Sequence, residues 1–279
     1  MAGPPRTVEA NGLAIAYVAE GAGTPLIMLH GATSSGREDW AAQLPAFRRH
    51  FRVHLPDARG HAGTAWDVAR GWSAEMLVDD LAAFADALAL ATFHLVGFSM
   101  GGGTALRFAI RSPERLRTLV LVGVDVLAEP RTSVSRRLLD PERIERDDPA
   151  WAAALERRHA AQGPGAWRRL AAAIGRDIAE ASVPTPRDLR RITAPTLVVV
   201  GDRDPFVPVS HAEALCRQLP DARLLVVPDC DHRVQVVRPG LFNEACAGFY
   251  RSTEGAARAR AARVGRSRPT AHPPGERRW

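Results

Sequence analysis

Four short runs, "PLIML", "TLVLVGV", "TLVVV" and "RLLVV", are almost wholly aliphatic. Runs of this kind suit strands buried on both faces, which occur chiefly in parallel sheets with helices on either side. Three further strand candidates, at 13–18, 52–55 and 93–97, join these four, which lie at 25–29, 118–124, 196–200 and 223–227. Helical patterns fall between them, over 40–50, 74–88, 100–111, 210–218 and 239–250. Ser73 is placed to cap the second, because its hydroxyl can take an unpaired amide of the first turn. The alternation predicts an α/β chain with a mainly parallel central sheet flanked by helices.

One interval breaks the alternation. Residues 127–191 contain no convincing strand, only Arg- and Ala-rich helical patterns with Trp151 and Trp167. So long a connection is not a plain loop. The expected organisation is therefore a core of 1–126 and 192–251, a small helical cap over 127–191 inserted late in the sheet, and a tail from 252 to 279. From Arg251 onward the chain holds eight arginines against Glu254 and Glu276, which accounts for the whole net charge of +6. The tail has almost no large apolar residues, so it is expected to be disordered and solvated. Its charge is read as that of a solvated tail, and no nucleic-acid partner is expected.

No apolar run approaches the roughly 20 residues needed to span a bilayer. The N-terminal stretch lacks a basic region followed by a long apolar one. Cys216, Cys230 and Cys246 have no metal-ligand spacing and suit reduced thiols. These features lead to the expectation of a cytoplasmic protein with no metal and no membrane partner.

The segment "HLVGFSMGGGTALRFA" sets G-x-S-x-G between a strand and a helix. A strand that turns so sharply into a helix holds Ser99 in a strained conformation with its side chain clear. Gly97 and Gly101 are required because side chains there would collide with the strand and helix. A serine hydroxyl needs a base to take its proton, and the base needs a third group to orient it. "LLVVPDCDHRVQ" places His232 just beyond a strand, and "LVVVGDRDPFVP" places Asp202 and Asp204 beyond the strand before. Asp125, in "LVGVDVL", is a second position for the acid.

With "LHGATSS" and "LPDARGHAGT", these motifs make residues 7 to 250 resemble the α/β-hydrolase superfamily. That resemblance implies Ser99 as nucleophile, Asp204 as acid and His232 as base. It makes the amides of Ala32 and Met100 the oxyanion donors and implies no metal or organic cofactor. His30, Asp57, Arg59 and His61 are then scaffold residues, and Asp231 is expected to face solvent. Dehalogenases and epoxide hydrolases of the superfamily carry aspartate at the elbow, so Ser99 points elsewhere. "SMGGGTALRFA" and Gln235 are similar to the carbon–carbon hydrolases of ring-fission products. Those usually have asparagine before the serine and tryptophan after the histidine, where this chain has Phe98 and Arg233. "GFSMGGG" also resembles the cofactor-free haloperoxidase and perhydrolase group. The expected activity is hydrolysis of a small carboxylic ester, lactone or related acyl compound. The alternatives are carbon–carbon hydrolysis of a ring-fission diketone and, in another class, a small-molecule receptor with a hydrolase-like pocket.

Overall fold

The computed structural model describes residues 5–126, 138–180 and 182–266, with side chains described as far as Gly255 in the last helix. Eight strands form one sheet in the order β1-β2-β4-β3-β5-β6-β7-β8. They are β1 (Arg6–Ala10), β2 (Leu13–Glu20), β3 (Pro25–Leu29), β4 (Arg52–Pro56), β5 (Phe93–Phe98), β6 (Leu116–Val122), β7 (Thr196–Gly201) and β8 (Ala222–Val227). β1 and β2 are antiparallel to their neighbours, whereas β3 to β8 run parallel.

The strand at β1 has no counterpart among the sequence expectations. It pairs with β2 through Asn11 and Gly12, both at positive φ. An Asn-Gly pair favours such a two-residue hairpin because both central positions need the left-handed region. β6 ends at Val122 rather than at 124, since Gly123 turns the chain at φ +59°. In place of the expected helix over 40–50 stands one single turn, α2 (Leu44–Phe47), preceded by another, α1 (Gly36–Asp39). Pro45 begins the second turn, where it can enter a helix but cannot continue one from 40.

α3 (Ala74–Ala87) and α4 (Met100–Arg111) cover one face of the sheet, burying Val78, Leu81, Phe84 and Leu106 against Ile27, Leu29 and Leu95. Ser73 caps α3 as expected, accepting from the Met76 amide. The opposite face takes Leu26, Met28 and Val96 against Trp40, Phe47, Phe242 and Phe249. Alternate residues of one strand thus feed two cores, as a period of two dictates.

Between β6 and β7 the chain forms α5 (Pro141–Asp147), α6 (Pro149–Arg158), α7 (Ala166–Glu180) and α8 (Pro186–Leu189). The start of the expected cap, residues 127–137, lies outside the described residues. Ile144, Leu155, Trp167 and Ala171 form a small core within these helices. Leu139, Leu170 and Ile174 reach down onto Ala32, Trp72 and Met100. α9 (Val209–Gln218), α10 (Val234–Val237) and α11 (Pro239–Arg266) complete the fold.

α11 corrects one expectation. It runs past Tyr250, so 252–266 is helix, not disordered chain. Alanine and arginine are among the best helix formers, and no proline interrupts "AARARAARV". The remainder of the expected tail lies outside the described residues. Among the described residues no helix is long and apolar enough to cross a membrane.

Candidate active site

The connections from β3 and β5 leave in opposite directions, because β4 lies beside β3 on one side of the pair and β6 beside β5 on the other. Parallel α/β sheets open a crevice at such a switch point, at the carboxyl ends of the strands. Ala32 follows β3 and Ser99 follows β5, so both sit at that crevice.

Ser99 adopts φ 51° and ψ −113°, outside the usual regions for a side-chain-bearing residue. Its amide donates to Val122 O, and the glycines around it let the turn close. A Cβ on Gly97 would run into the backbone of Gly101, and one on Gly101 would lie 2.5 Å from His30 O. Strain of this kind persists only where the surroundings over-determine it.

Ser99 Oγ is 2.9 Å from His232 Nε2, and His232 Nδ1 is 2.7 Å from Asp204 Oδ2. The Asp204 side chain is completely buried and that of His232 is 14% exposed. Asp204 Oδ1 accepts from the Phe206 and Val207 amides, which leaves Oδ2 aimed at the imidazole. Phe206 and Phe98 flank the ring, with centroids 4.5 and 5.0 Å away. The two loops that carry acid and histidine are themselves tied together. Cys230 N–H donates to Asp202 Oδ1, and Arg203 N–H donates to Cys230 O. The Cys230 amide first, and the Asp229 amide after it, hold the Asp202 carboxyl below its usual range.

Asp125 does not reach His232. Its buried carboxylate takes His211 Nδ1 at 2.7 Å instead. Asp231 accepts from the Arg233 amide on the protein surface, as expected.

Ala32 and Met100 both line the crevice beside Ser99. Met100 opens α4, so its amide has no acceptor within the helix. Gly31 N–H donates to Asp39 Oδ2 and Thr33 N–H to His61 Nε2, which fixes the chain on both sides of Ala32. The scaffold residues fill the space behind. His30 donates from Nδ1 to Gly31 O and accepts at Nε2 from Ala58 N–H. Arg59 holds Asp80 through two bonds of 2.5 and 2.6 Å. Asp57 accepts from the Gly36 and Gly63 amides. His61 is fully buried, and that burial, with His30 beside it, keeps its pKa well below the ordinary value.

The crevice opens into a cavity of about 550 Å³. Trp72, Leu77, Leu139, Trp151, Ile174 and Phe206 supply much of its wall, so the inserted helices share it with α3 and the loops of the core. Among the described residues three arginines line it, and each already has an acidic partner. Arg107 holds Glu75, Arg158 holds Glu38 and Arg233 holds Asp231. Among the described residues no group of three His, Cys, Asp or Glu side chains is arranged to hold a metal.

Four contributors have no place among the sequence expectations. Arg158 and His211 act over long separations that no local pattern reports, and Asp39 reaches back to the Gly31 amide and the Ser34 hydroxyl with no motif to mark it. Gly123 had a signal, a glycine inside an otherwise aliphatic run.

A sequence model described as "Alpha/beta hydrolase family" matches residues 26–245. The chain is 30% identical to 2-hydroxy-6-oxo-2,4-heptadienoate hydrolase of Pseudomonas putida, over 83% of this chain and 90% of that one. A thermophilic esterase from Thermogutta terrifontis superposes with a TM-score of 0.74 at 26% identity, covering 90% of this chain and 99% of that one. An N-acyl homoserine lactone degrading enzyme superposes with a TM-score of 0.71 at 28% identity, covering 88% and 100%.

Proposed function

The chain belongs to the alpha/beta hydrolase family, and on that premise we propose that it hydrolyses small, uncharged carboxylic esters or lactones. The observation that carries this reading is the unbroken relay from Ser99 Oγ through His232 to the buried Asp204, opening on a largely apolar cavity.

In this reading Ser99 Oγ attacks the carbonyl carbon while His232 Nε2 takes its proton. Asp204 holds the Nδ1 proton in place and stabilises the imidazolium. The carbonyl oxygen becomes an oxyanion, accepting from the Ala32 and Met100 amides, each worth about 3 kcal/mol of barrier. His232 then returns its proton to the departing alkoxide as the carbon–oxygen bond breaks. Water attacks the acyl-enzyme, gives its proton to the same nitrogen, and the acid leaves as Ser99 regains its hydrogen.

A second reading, carbon–carbon hydrolysis of a ring-fission diketone, draws on the Pseudomonas putida relative, which is named as a hydrolase of a heptadienoate. A dienoate brings a carboxylate into the cavity. The engagement of Arg107, Arg158 and Arg233 with acidic partners favours a neutral substrate instead.

A fluorophosphonate probe together with a substrate panel tests both. The wild type is expected to take one label and Ser99→Ala none, with p-nitrophenyl esters or lactones turned over faster than ring-fission diketones. Labelling that survives in Ser99→Ala moves the nucleophile elsewhere. Faster cleavage of the diketones replaces the first reading with the second.

A further inference from the structure

Thr33 stands at φ 59°, a conformation that a β-branched residue rarely adopts. Three bonds hold it there. His61 Nε2 accepts from its amide at 3.1 Å, its own hydroxyl donates to Ala32 O at 2.7 Å, and Arg158 Nη1 donates to its carbonyl at 2.6 Å. Arg158 comes from the end of α6 in the inserted helices, 125 residues away in sequence. The rest of its guanidinium pairs with Glu38 on α1, so the fork spans both ends of the "GATSSGRE" turn.

The peptide that Arg158 holds connects directly to the oxyanion donor. In a trans peptide the N–H points opposite the carbonyl. Pinning Thr33 O therefore aims the Ser34 N–H the other way, and it points to Gly31 O at 3.4 Å. Gly31 O belongs to the peptide whose N–H is that of Ala32. The chain of groups runs from guanidinium to Thr33 carbonyl, Ser34 amide, Gly31 carbonyl and Ala32 amide. A positive charge at one end of such a series polarises each bond in the same sense, which strengthens the last donor.

Resting on the reading of Ala32 as an oxyanion donor, we propose that Arg158 is a positioning residue through which the inserted helices orient and polarise the oxyanion hole. Seating of those helices then completes the site as well as walling it. A substrate that displaces them loses the alignment of the Ala32 amide.

The test uses the full chain, a p-nitrophenyl ester, and a trifluoromethyl ketone that Ser99 converts to a tetrahedral hemiketal. Arg158→Met is expected to lower kcat by roughly 10- to 100-fold with KM within about threefold, as loss or misalignment of an oxyanion donor does. The inhibition constant of the trifluoromethyl ketone should rise by the same factor, whereas that of the unfluorinated ketone stays put. Arg158→Lys should fall between, because one ammonium cannot fork Thr33 O and Glu38 together. It also serves if the methionine variant does not fold. Gln162→Ala removes another contact of the insertion, to Ala62 O, and should leave kcat within about twofold. The proposal is overturned if both Arg158 variants keep wild-type kcat and hemiketal affinity. It is equally overturned if Gln162→Ala reproduces the loss, or if the loss falls on KM. A wild type that neither turns over the ester nor binds the trifluoromethyl ketone removes the reading of the site itself, an outcome visible before any variant is made.

Discussion

Gly123 and His232 are in contact across the end of the sheet. A Cβ built on Gly123 would lie 2.7 Å from His232 Cε1 and 2.9 Å from Nδ1, and 3.5 Å from Asp204 Oδ2. The glycine also sits at φ +59°, which penalises any side chain there. Gly123→Ala should therefore push the imidazole out of line with Ser99 and Asp204. We expect kcat to fall by about two orders of magnitude while the thermal midpoint drops only a few degrees, since a displacement of about 1 Å is enough for that loss. Unchanged kcat would show that the ring has room to move.

Asp204 and Asp125 both follow strands and both hold a histidine, but only Asp204 holds the one that reaches Ser99. Asp204→Asn keeps the shape and reverses the hydrogen-bond sense at Nδ1, favouring the wrong tautomer. Losses on the order of 10⁴ in kcat follow such a change in serine proteases, and a loss of several orders is expected here. Asp125→Asn weakens the bond to His211 and should cost less than about tenfold in kcat, with a stability loss of about 1–3 kcal/mol typical of a disturbed buried partner. Steady-state kinetics on the two variants separate the positions. The reverse ranking would move the acid to the strand before.

Truncation distinguishes the two parts of α11. Thr253 is buried, with its hydroxyl donating to Phe249 O and Tyr250 O, and Glu254 Oε1 lies 3.5 Å from His94 Nε2. Removing residues 256–279 spares these contacts, so kcat/KM should stay within a few-fold and the melting temperature should barely move. Removing 252–279 takes them away. That form should keep its activity but melt a few degrees lower, about 2–4 °C per kcal/mol for a chain of this size. Loss of activity in the shorter truncation would place part of the tail at the site.

What was legible in the sequence is what a local constraint dictates. Gly97 and Gly101 must be glycine for the turn at Ser99 to close, so five residues single out the proposed nucleophile. His232 and Asp204 are recognisable because each lies just beyond an aliphatic strand. Asn11-Gly12 carried an equally local signal for the first hairpin, masked by the weak apolar character of "RTVEA". By contrast, Arg158 on Thr33 and His211 on Asp125 are products of tertiary approach, and nothing near them in sequence reports it. Residues 252–266 are helical against expectation because the helix propensity of alanine and arginine outweighs their low apolar content.

Acid should weaken the fold, and two buried histidines set the pH window. His54 sits between Tyr17 and Phe84, with neither ring nitrogen partnered among the described residues. Burial, followed by the charges of Arg52 and Arg6, lowers its pKa from 6.5 to about 4. His94 is likewise lowered to about 4, by burial and then by Arg117. The unfolded chain therefore binds two protons near pH 6.5 that the native state does not take up until about pH 4. Stability rises with pH wherever the unfolded state holds more protons. The contribution of neutral His54 and His94 is thus complete above about pH 6.5 and fades as the pH falls toward 4. Each ring accounts for a loss of order 3 kcal/mol over that interval. His61 and His159, lowered chiefly by burial, act in the same direction. Denaturant unfolding between pH 8 and pH 4 should show the decline. His54→Leu should make it shallower by about 1.4 kcal/mol per pH unit across the middle of the window, the value for one proton. A stability that holds level or increases down to pH 5 would mean that the buried rings accept protons in the native state.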